Sequence, residues 1–285
     1  MSRFALPTSF SPHMKNSEVQ RALKVAIAAA KAAGAVMIKN FHSVKKVNEA
    51  SQHDIKLELD VRCQKLIERT LAAAMPKIPV LGEEGDTGST QGELRWVVDP
   101  IDGTVNFAYG IPHACVSIAL QERVSRGAVT PDGYATIVGV VLDPFVNELW
   151  TATLGGKARL NGRVISVSKR RKLEEAIVTV GFAKHPRTLN QMLPVLNDLV
   201  HRVRKVRMMG SAALSLTYVA SGRMDVYLEP GVRLWDIAAG GLIVQCAGGD
   251  FFYQPVAGEY HTYRLGVNNG AFRKQITNAV AWLRE

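Results

Sequence analysis

The segment Asp99-Pro100-Ile101-Asp102-Gly103-Thr104 places two carboxylates three residues apart, in a stretch stiffened by proline and closed by glycine. Carboxylate oxygens are the ligands that hard cations such as Mg²⁺ prefer. Two ions sharing them, about 3.5–4 Å apart, stabilise both the attacking and the leaving oxygen of an in-line displacement. Gly103 lets a ligand approach the main chain. The N–H groups of Gly103 and Thr104 lie at an expected helix start, where unpaired donors and the helix dipole favour an anion, phosphate above all. Taken alone, the pair also fits a plainer use, with Asp102 N-capping the short helix and Asp99 closing a turn.

Two more acidic elements stand at comparable places. Gly82-Glu83-Glu84-Gly85 follows a short apolar strand, and Asp236 in Trp235-Asp236-Ile237-Ala238-Ala239-Gly240-Gly241 opens a helix that stops at Gly248-Gly249. A solvated acidic turn and a simple N-cap are the ordinary readings of each in isolation.

The elements that must carry these groups are read from apolar spacing. Residues 17–40 predict a helix with Val19, Leu23, Ala26, Ile27, Ala30 and Gly34 on one face, and residues 60–75 predict a second with Val61, Leu66, Ile67 and Leu71. Val80-Leu81 and residues 94–98 read as strands that end at the acidic residues. Residues 116–150 read as antiparallel strands with turns at Asp132-Gly133 and Asp143-Pro144, followed by an Asn161-Gly162 hairpin signal. Beyond residue 168 the pattern predicts strand 176–180, helix 189–202, strand 212–220 and helix 236–246. The expected organisation is a tail over 1–16, an antiparallel half over 17–167 carrying most of the acidic candidates, and an α/β half over 168–285 carrying Asp236.

Composition bounds the alternatives. A chain of 285 residues, 47% hydrophobic, can bury a full core. Lys24 and Lys31 interrupt the Ala-rich stretch 22–38, so no apolar run is long enough for a membrane span. Cys63, Cys115 and Cys246 are odd in number and lack CxxC spacing, which argues against a disulfide framework or zinc cluster and fits a cytoplasmic protein. A net charge of +10 fits attraction to anionic substrates or simply a soluble basic surface. The run Lys169-Arg170-Arg171-Lys172 has no interleaved aromatics, so stacking on nucleic acid is not expected.

In order and in sequence, Gly82–Glu84, Asp99–Phe107 and Trp235–Gly240 resemble the GEE, DPIDGTxNF and WDxAAG segments of the inositol monophosphatase family. The likeness runs from about residue 17 onward and includes Gly210-Ser211-Ala212-Ala213 and Glu229-Pro230-Gly231. It implies an α/β (α+β) fold, a layered α-β-α-β-α sandwich similar to inositol monophosphatase and fructose-1,6-bisphosphatase, with metals between the halves. It implies two or three Mg²⁺ ions. Glu83, Asp99 and the Ile101 carbonyl would hold the first, and Asp99, Asp102 and Asp236 the second, with Glu83 helping a third through water.

By the same resemblance, Asp60 and Thr104 correspond to the pair that orients and deprotonates the attacking water, completing with Glu83 the catalytic set. Asp102, the Ala212 N–H and Glu229 correspond to contacts with substrate hydroxyls, beside Gly103 and Thr104 at the phosphate. Read singly, Asp60 is also a helix-start carboxylate favoured by the dipole, and Glu229 a surface acid. The segment Asp54-Ile55-Lys56-Leu57-Glu58-Leu59-Asp60 departs from the family, which usually has threonines between the two Asp and a Lys upstream. Lys56 then reads either as a substitute cation near water or phosphate or as a solvent-facing lysine.

The activity this implies is Mg²⁺-dependent hydrolysis of a small phosphate monoester, inositol monophosphate first, with inhibition by Li⁺ and a homodimeric assembly. Fructose 1,6-bisphosphate, adenosine 3',5'-bisphosphate and histidinol phosphate remain alternatives. Arg233 is a candidate for a second phosphate. His201, Arg202, Arg204 and Lys205 are others, unless they form a solvated helix end. A non-enzymatic alternative is a scaffold for RNA or a transcription complex.

Overall fold

The computed structural model describes residues 14–50, 55–124, 132–182 and 186–283. The expected tail falls mostly outside them, and the first helix, α1 (Asn16–Asn40), begins at once. Its Ala22, Ala26, Ala29, Ala30 and Ala33 are fully buried, and such small side chains bring the helix axis close to the sheet beneath. A two-stranded ribbon, β1 (Val47–Ala50) and β2 (Ile55–Leu57), leads into α2 (Glu58–Ala74), which buries Leu59, Cys63, Ile67 and Leu71 at helical spacing.

The first large sheet follows. It comprises β3 (Val80–Gly82), β4 (Leu94–Asp102), β5 (Cys115–Arg123), β6 (Tyr134–Asp143), β7 (Glu148–Thr153), β8 (Arg159–Leu160) and β9 (Arg163–Val164), side by side in that order. The single turn of helix between β4 and β5 is α3 (Thr104–Ala108). Among the described pairs of this sheet only β3–β4 is parallel and the rest are antiparallel. Asn161 and Gly162 both adopt positive φ between β8 and β9, as the hairpin signal predicts.

The remainder is built from β10 (Ile177–Val180), α4 (Pro186–Arg202), β11 (Lys205–Arg207), α5 (Ala212–Ala220), β12 (Val226–Arg233), α6 (Leu234–Cys246), β13 (Asp250–Pro255), β14 (Thr262–Asn268) and α7 (Arg273–Ala279). Its strands form a second sheet in the order β11-β10-β12-β14-β13. At one edge, β11 exposes Lys205 and Arg207 on either side of half-buried Val206.

Strand alternation sorts the core into layers. Trp96, Val98, Ile118 and Val140 face α1 and α2, while Leu81, Val97, Ala119, Val141 and Trp150 face α5 and α6. In the second sheet Tyr227, Leu265 and Val267 face α5 and α6 from the other side, and Val178, Val180, Val226 and Leu228 pack on α4 and α7. The order is helix, sheet, helix, sheet, helix. Among the described residues no helix is long and apolar enough to cross a membrane.

Residues 212–220, expected as a strand, form helix α5, and three strands lie beyond residue 220 where the spacing predicted only a helix. The reason is physical. Ala-Ala-Leu-Ser-Leu-Thr-Tyr-Val-Ala is buried nearly all round, so it has neither a polar face nor a two-residue alternation, and periodicity cannot separate a buried helix from a strand. What starts the helix is Ser211, whose side chain accepts the Leu214 N–H at 3.3 Å.

Helix α6 is likewise buried nearly all round, from Ile237 to Val244, because sheets lie above and below it. It crosses β6 at Gly139, where a Cβ would stand 2.7 Å from the Ala239 carbonyl oxygen. Gly139→Ala is expected to destabilise the protein by about 1–3 kcal/mol, the usual cost of overpacking a filled core. A thermal melt checks this, each kcal/mol lowering the midpoint by roughly 2–4 °C in a chain of this class. An unchanged midpoint would show that α6 is free to shift.

Candidate metal and active site

A regular strand would point Asp99 and Asp102 to opposite faces, because three residues is an odd step. The β4–β5 pairing slips here: Asp99 lies opposite Ser117 and Asp102 opposite Cys115, so three residues of β4 span two of β5. This bulge turns both carboxylates to one face. Asp99 is fixed by its own turn, the Ile101 N–H donating to Oδ1 at 3.0 Å, and the Thr104 hydroxyl donates to the Ile101 carbonyl at 2.8 Å. Gly103 takes a left-handed conformation, φ 95°, that starts α3. A Cβ there would stand 2.9 Å from the His113 carbonyl oxygen, so main chain already occupies the room the glycine leaves.

Asp102 does cap a helix, but not the one that follows it. Its carboxylate accepts the Ala213 N–H at 2.7 Å, the Ala212 N–H at 3.2 Å and the Ser211 hydroxyl at 2.6 Å, which places it at the N-terminus of α5, 110 residues away along the chain. The helix dipole favours a negative charge there. Ala212, expected to meet substrate hydroxyls, points its N–H at this carboxylate.

Asp236 sits in the first turn of α6, and its Oδ2 accepts the Arg233 N–H at 2.8 Å. Asp60 repeats that arrangement in α2, accepting the Leu57 N–H at 2.7 Å while almost wholly buried. Glu83 follows β3, with its N–H on the Val98 carbonyl at 3.1 Å and its side chain hydrogen-bonded to Asp99. One turn beyond Asp60, Gln64 holds the acidic loop: its amide donates to the Gly85 carbonyl at 2.8 Å and accepts the Glu84 N–H at 2.9 Å. No motif marks Gln64. Its one signal is a position one helical turn after Asp60.

Asp99, Asp102 and Asp236 each offer an oxygen, and these oxygens lie within 4.8 Å of one another. Burial, followed by the charges of Glu83, Asp102 and Asp236, pushes the Asp99 carboxyl well above the usual carboxylate range. Burial, then Asp102 and Glu83, does the same to Asp236. Asp102 is also raised by burial, against the pull of the Ser211 hydroxyl, the Ala213 and Ala212 N–H groups and the Cys115 thiol. Crowded hard-oxygen donors that raise one another in this way fit a divalent cation, which would reverse the sign of their interaction.

The remaining candidates are placed as follows. Glu229 lies on β12 close enough to Asp236 to raise it electrostatically. The Arg233 guanidinium binds the Tyr260 carbonyl at 2.6 Å and the Thr262 hydroxyl at 2.5 Å. Lys56 belongs to β2, but its side chain lies outside the described residues, as does Asp54. His201, Arg202, Arg204 and Lys205 are exposed at the end of α4 and the start of β11, Arg202 pairing with Asp198 at 2.5 Å. Arg170, within the basic run, pairs with buried Asp225 at 3.0 Å.

Comparison with known proteins supports the same reading. Residues 18–280 match the sequence model of the inositol monophosphatase family. The chain is 39% identical over 233 residues to the Nus factor SuhB of Xylella fastidiosa, covering 80% of each. It is 36% identical over 276 residues to inositol monophosphatase 1 of Solanum lycopersicum, covering 93% of this chain and 97% of that one. Among solved structures, the extragenic suppressor protein suhB from Bartonella henselae superposes with a TM-score of 0.80 at 32% identity, covering 90% of this chain and 97% of the other. The inositol monophosphatase from Anabaena gives 0.78 at 31%, covering 93% and 97%.

The electrostatics predict an inverted response to mutation. Asp99→Asn keeps the acceptor for Ile101 but removes a crowded charge, so in chelator the variant is expected to melt higher than wild type, by roughly 2–4 °C for each kcal/mol relieved. Added Mg²⁺ is expected to raise the wild-type midpoint and leave that of the variant nearly unmoved. Scanning calorimetry checks both, and a variant that melts lower in chelator would show that attractions, not repulsion, dominate at Asp99.

Proposed function

We propose that this chain, which belongs to the inositol monophosphatase family, hydrolyses a small phosphate monoester by direct attack of water on phosphorus, inositol monophosphate being the first candidate. The observation that carries the reading is the convergence of Asp99, Asp102 and Asp236, whose oxygens lie within 4.8 Å of one another, with the Glu83 side chain hydrogen-bonded to Asp99. Glu83, Asp99 and the Ile101 carbonyl would hold one Mg²⁺ and Asp99, Asp102 and Asp236 a second, Glu83 also serving a third. When bound, the ions neutralise phosphoryl charge and lower the pKa of the attacking water.

The protein groups divide the remaining work. Thr104, tied to the Ile101 carbonyl, and Asp60, fixed at the head of α2, orient the water and take its proton. The Gly103 and Thr104 main-chain donors face the phosphate. Asp102, Glu229 and the Ala212 N–H receive the hydroxyls of the leaving alcohol. The Ala212 bond to Asp102, 3.2 Å, is the longest of the nitrogen and hydroxyl bonds there and the easiest to redirect. Supporting the polyol preference over fructose 1,6-bisphosphate, adenosine 3',5'-bisphosphate or histidinol phosphate is the likeness to inositol monophosphatase 1. A homodimer is proposed on the same footing.

A second reading, a part in a transcription complex, is supported by the relatives called Nus factor and by the net charge of +10. The two are separated by phosphate release from a panel of the four esters, with and without Mg²⁺. Mg²⁺-dependent release is expected, best from inositol 1-phosphate. Asp60→Asn is expected to lower kcat by about 10²–10⁴-fold, the usual worth of a general base, while retaining the Mg²⁺-induced thermal shift. No release from any ester would put the second reading first.

A further inference from the structure

Strands β10 and β12 run parallel with Thr179 beside Tyr227 and Val180 beside Leu228, and the Gly181 N–H continues the ladder to the Leu228 carbonyl at 2.9 Å. Val178, Val180, Val226 and Leu228 pack on the α4 and α7 face. By alternation Thr179, Gly181, Tyr227 and Glu229 therefore share the opposite face, toward α5, α6 and the carboxylate cluster. Tyr227 is 1% exposed. Its hydroxyl donates to Glu229 Oε2. On the other side, a Cβ at residue 181 would overlap the Glu229 carboxylate, which rests directly against the main chain at the end of β10.

Glu229 is thus held from two directions, by the Tyr227 hydroxyl and by the main chain at Gly181. A carboxylate accepts about four hydrogen bonds, and the Tyr227 hydroxyl supplies one of them. Burial and the Glu229 charge hold the Tyr227 hydroxyl well above its ordinary range, which keeps it a donor.

We propose that Tyr227 and Gly181 are positioning residues for Glu229, fixing its carboxylate as the acceptor that selects phosphate esters bearing a free hydroxyl near the ester. The inference rests on the phosphomonoesterase reading above. It gives that site a specificity element made by two neighbouring strands, with a glycine required not for its conformation but for the absence of a side chain.

The test is the ratio of kcat/KM for inositol 1-phosphate to that for p-nitrophenyl phosphate, which has no hydroxyl. It is measured on the full-length Mg²⁺-loaded protein, on Tyr227→Phe, Gly181→Ala and Glu229→Ala, and on the Tyr227→Phe/Glu229→Ala double variant. The ratio is expected to fall roughly tenfold in Tyr227→Phe, as for loss of one hydrogen bond to a charged group, and further in Glu229→Ala. In the double variant Tyr227→Phe is expected to add nothing, a pattern that a merely structural tyrosine would not give.

A ratio unmoved in Tyr227→Phe, or a further fall in the double variant, overturns the inference. So does a wild type that cleaves the aryl ester alone. Gly181→Ala is expected to act like Tyr227→Phe, and if it fails to fold the isosteric tyrosine variant decides. Should wild type cleave both esters with the ratio unmoved, positioning falls while the phosphatase reading stands. Should it cleave neither, both fall together.

Discussion

Acidic side chains that repel one another have to be held side by side, and much of the architecture answers that demand. Each is tied down by main-chain donors: Asp99 by the turn at Ile101, Asp236 by Arg233, and Asp102 by the open end of α5. Hydrogen bonds to an ionised group are stronger than neutral ones. They lower the cost of each charge without cancelling the repulsion between charges, and it is this residue of repulsion that a cation would relieve.

Asp102 links the two halves most directly. It belongs to a strand of the first sheet and completes the first turn of a helix attached to the second. Helices α5 and α6 lie between the sheets and pack against both, so the halves share a third core beside the one each closes with its own outer helices. The close crossing of α6 over Gly139 and the Asp102 bonds act on the same layer. Interfaces of this extent and apolarity are unlike the looser contacts between independently moving domains.

How much of this was legible in the sequence depends on whether a group announces itself locally. The acidic motifs at residues 82–84, 99–104 and 235–236 did so, and the layered fold followed from the family they resemble. The helix at 212–220 did not, because its first turn is completed in part by a carboxylate from another sheet and its burial erases periodicity. Nor did the bulge that aligns Asp99 with Asp102, since a step of three residues in a strand argues for opposite faces. Gln64 and Tyr227 carry no motif at all. Each matters through a partner that the strand and helix packing brings alongside, and single-sequence spacing does not encode such packing.

The edge of the second sheet has a consequence for the behaviour of many copies in solution. β11 is three residues long and offers Lys205 and Arg207 to either side of Val206. A second copy adding its own β11 to this edge would bring like charges against like along a ladder too short to compensate. Short, cationic edge strands are a recurrent guard against sheet-to-sheet polymerisation. On this view, part of the protein's excess positive charge needs no ligand to account for it, since it keeps an open backbone edge from recruiting another.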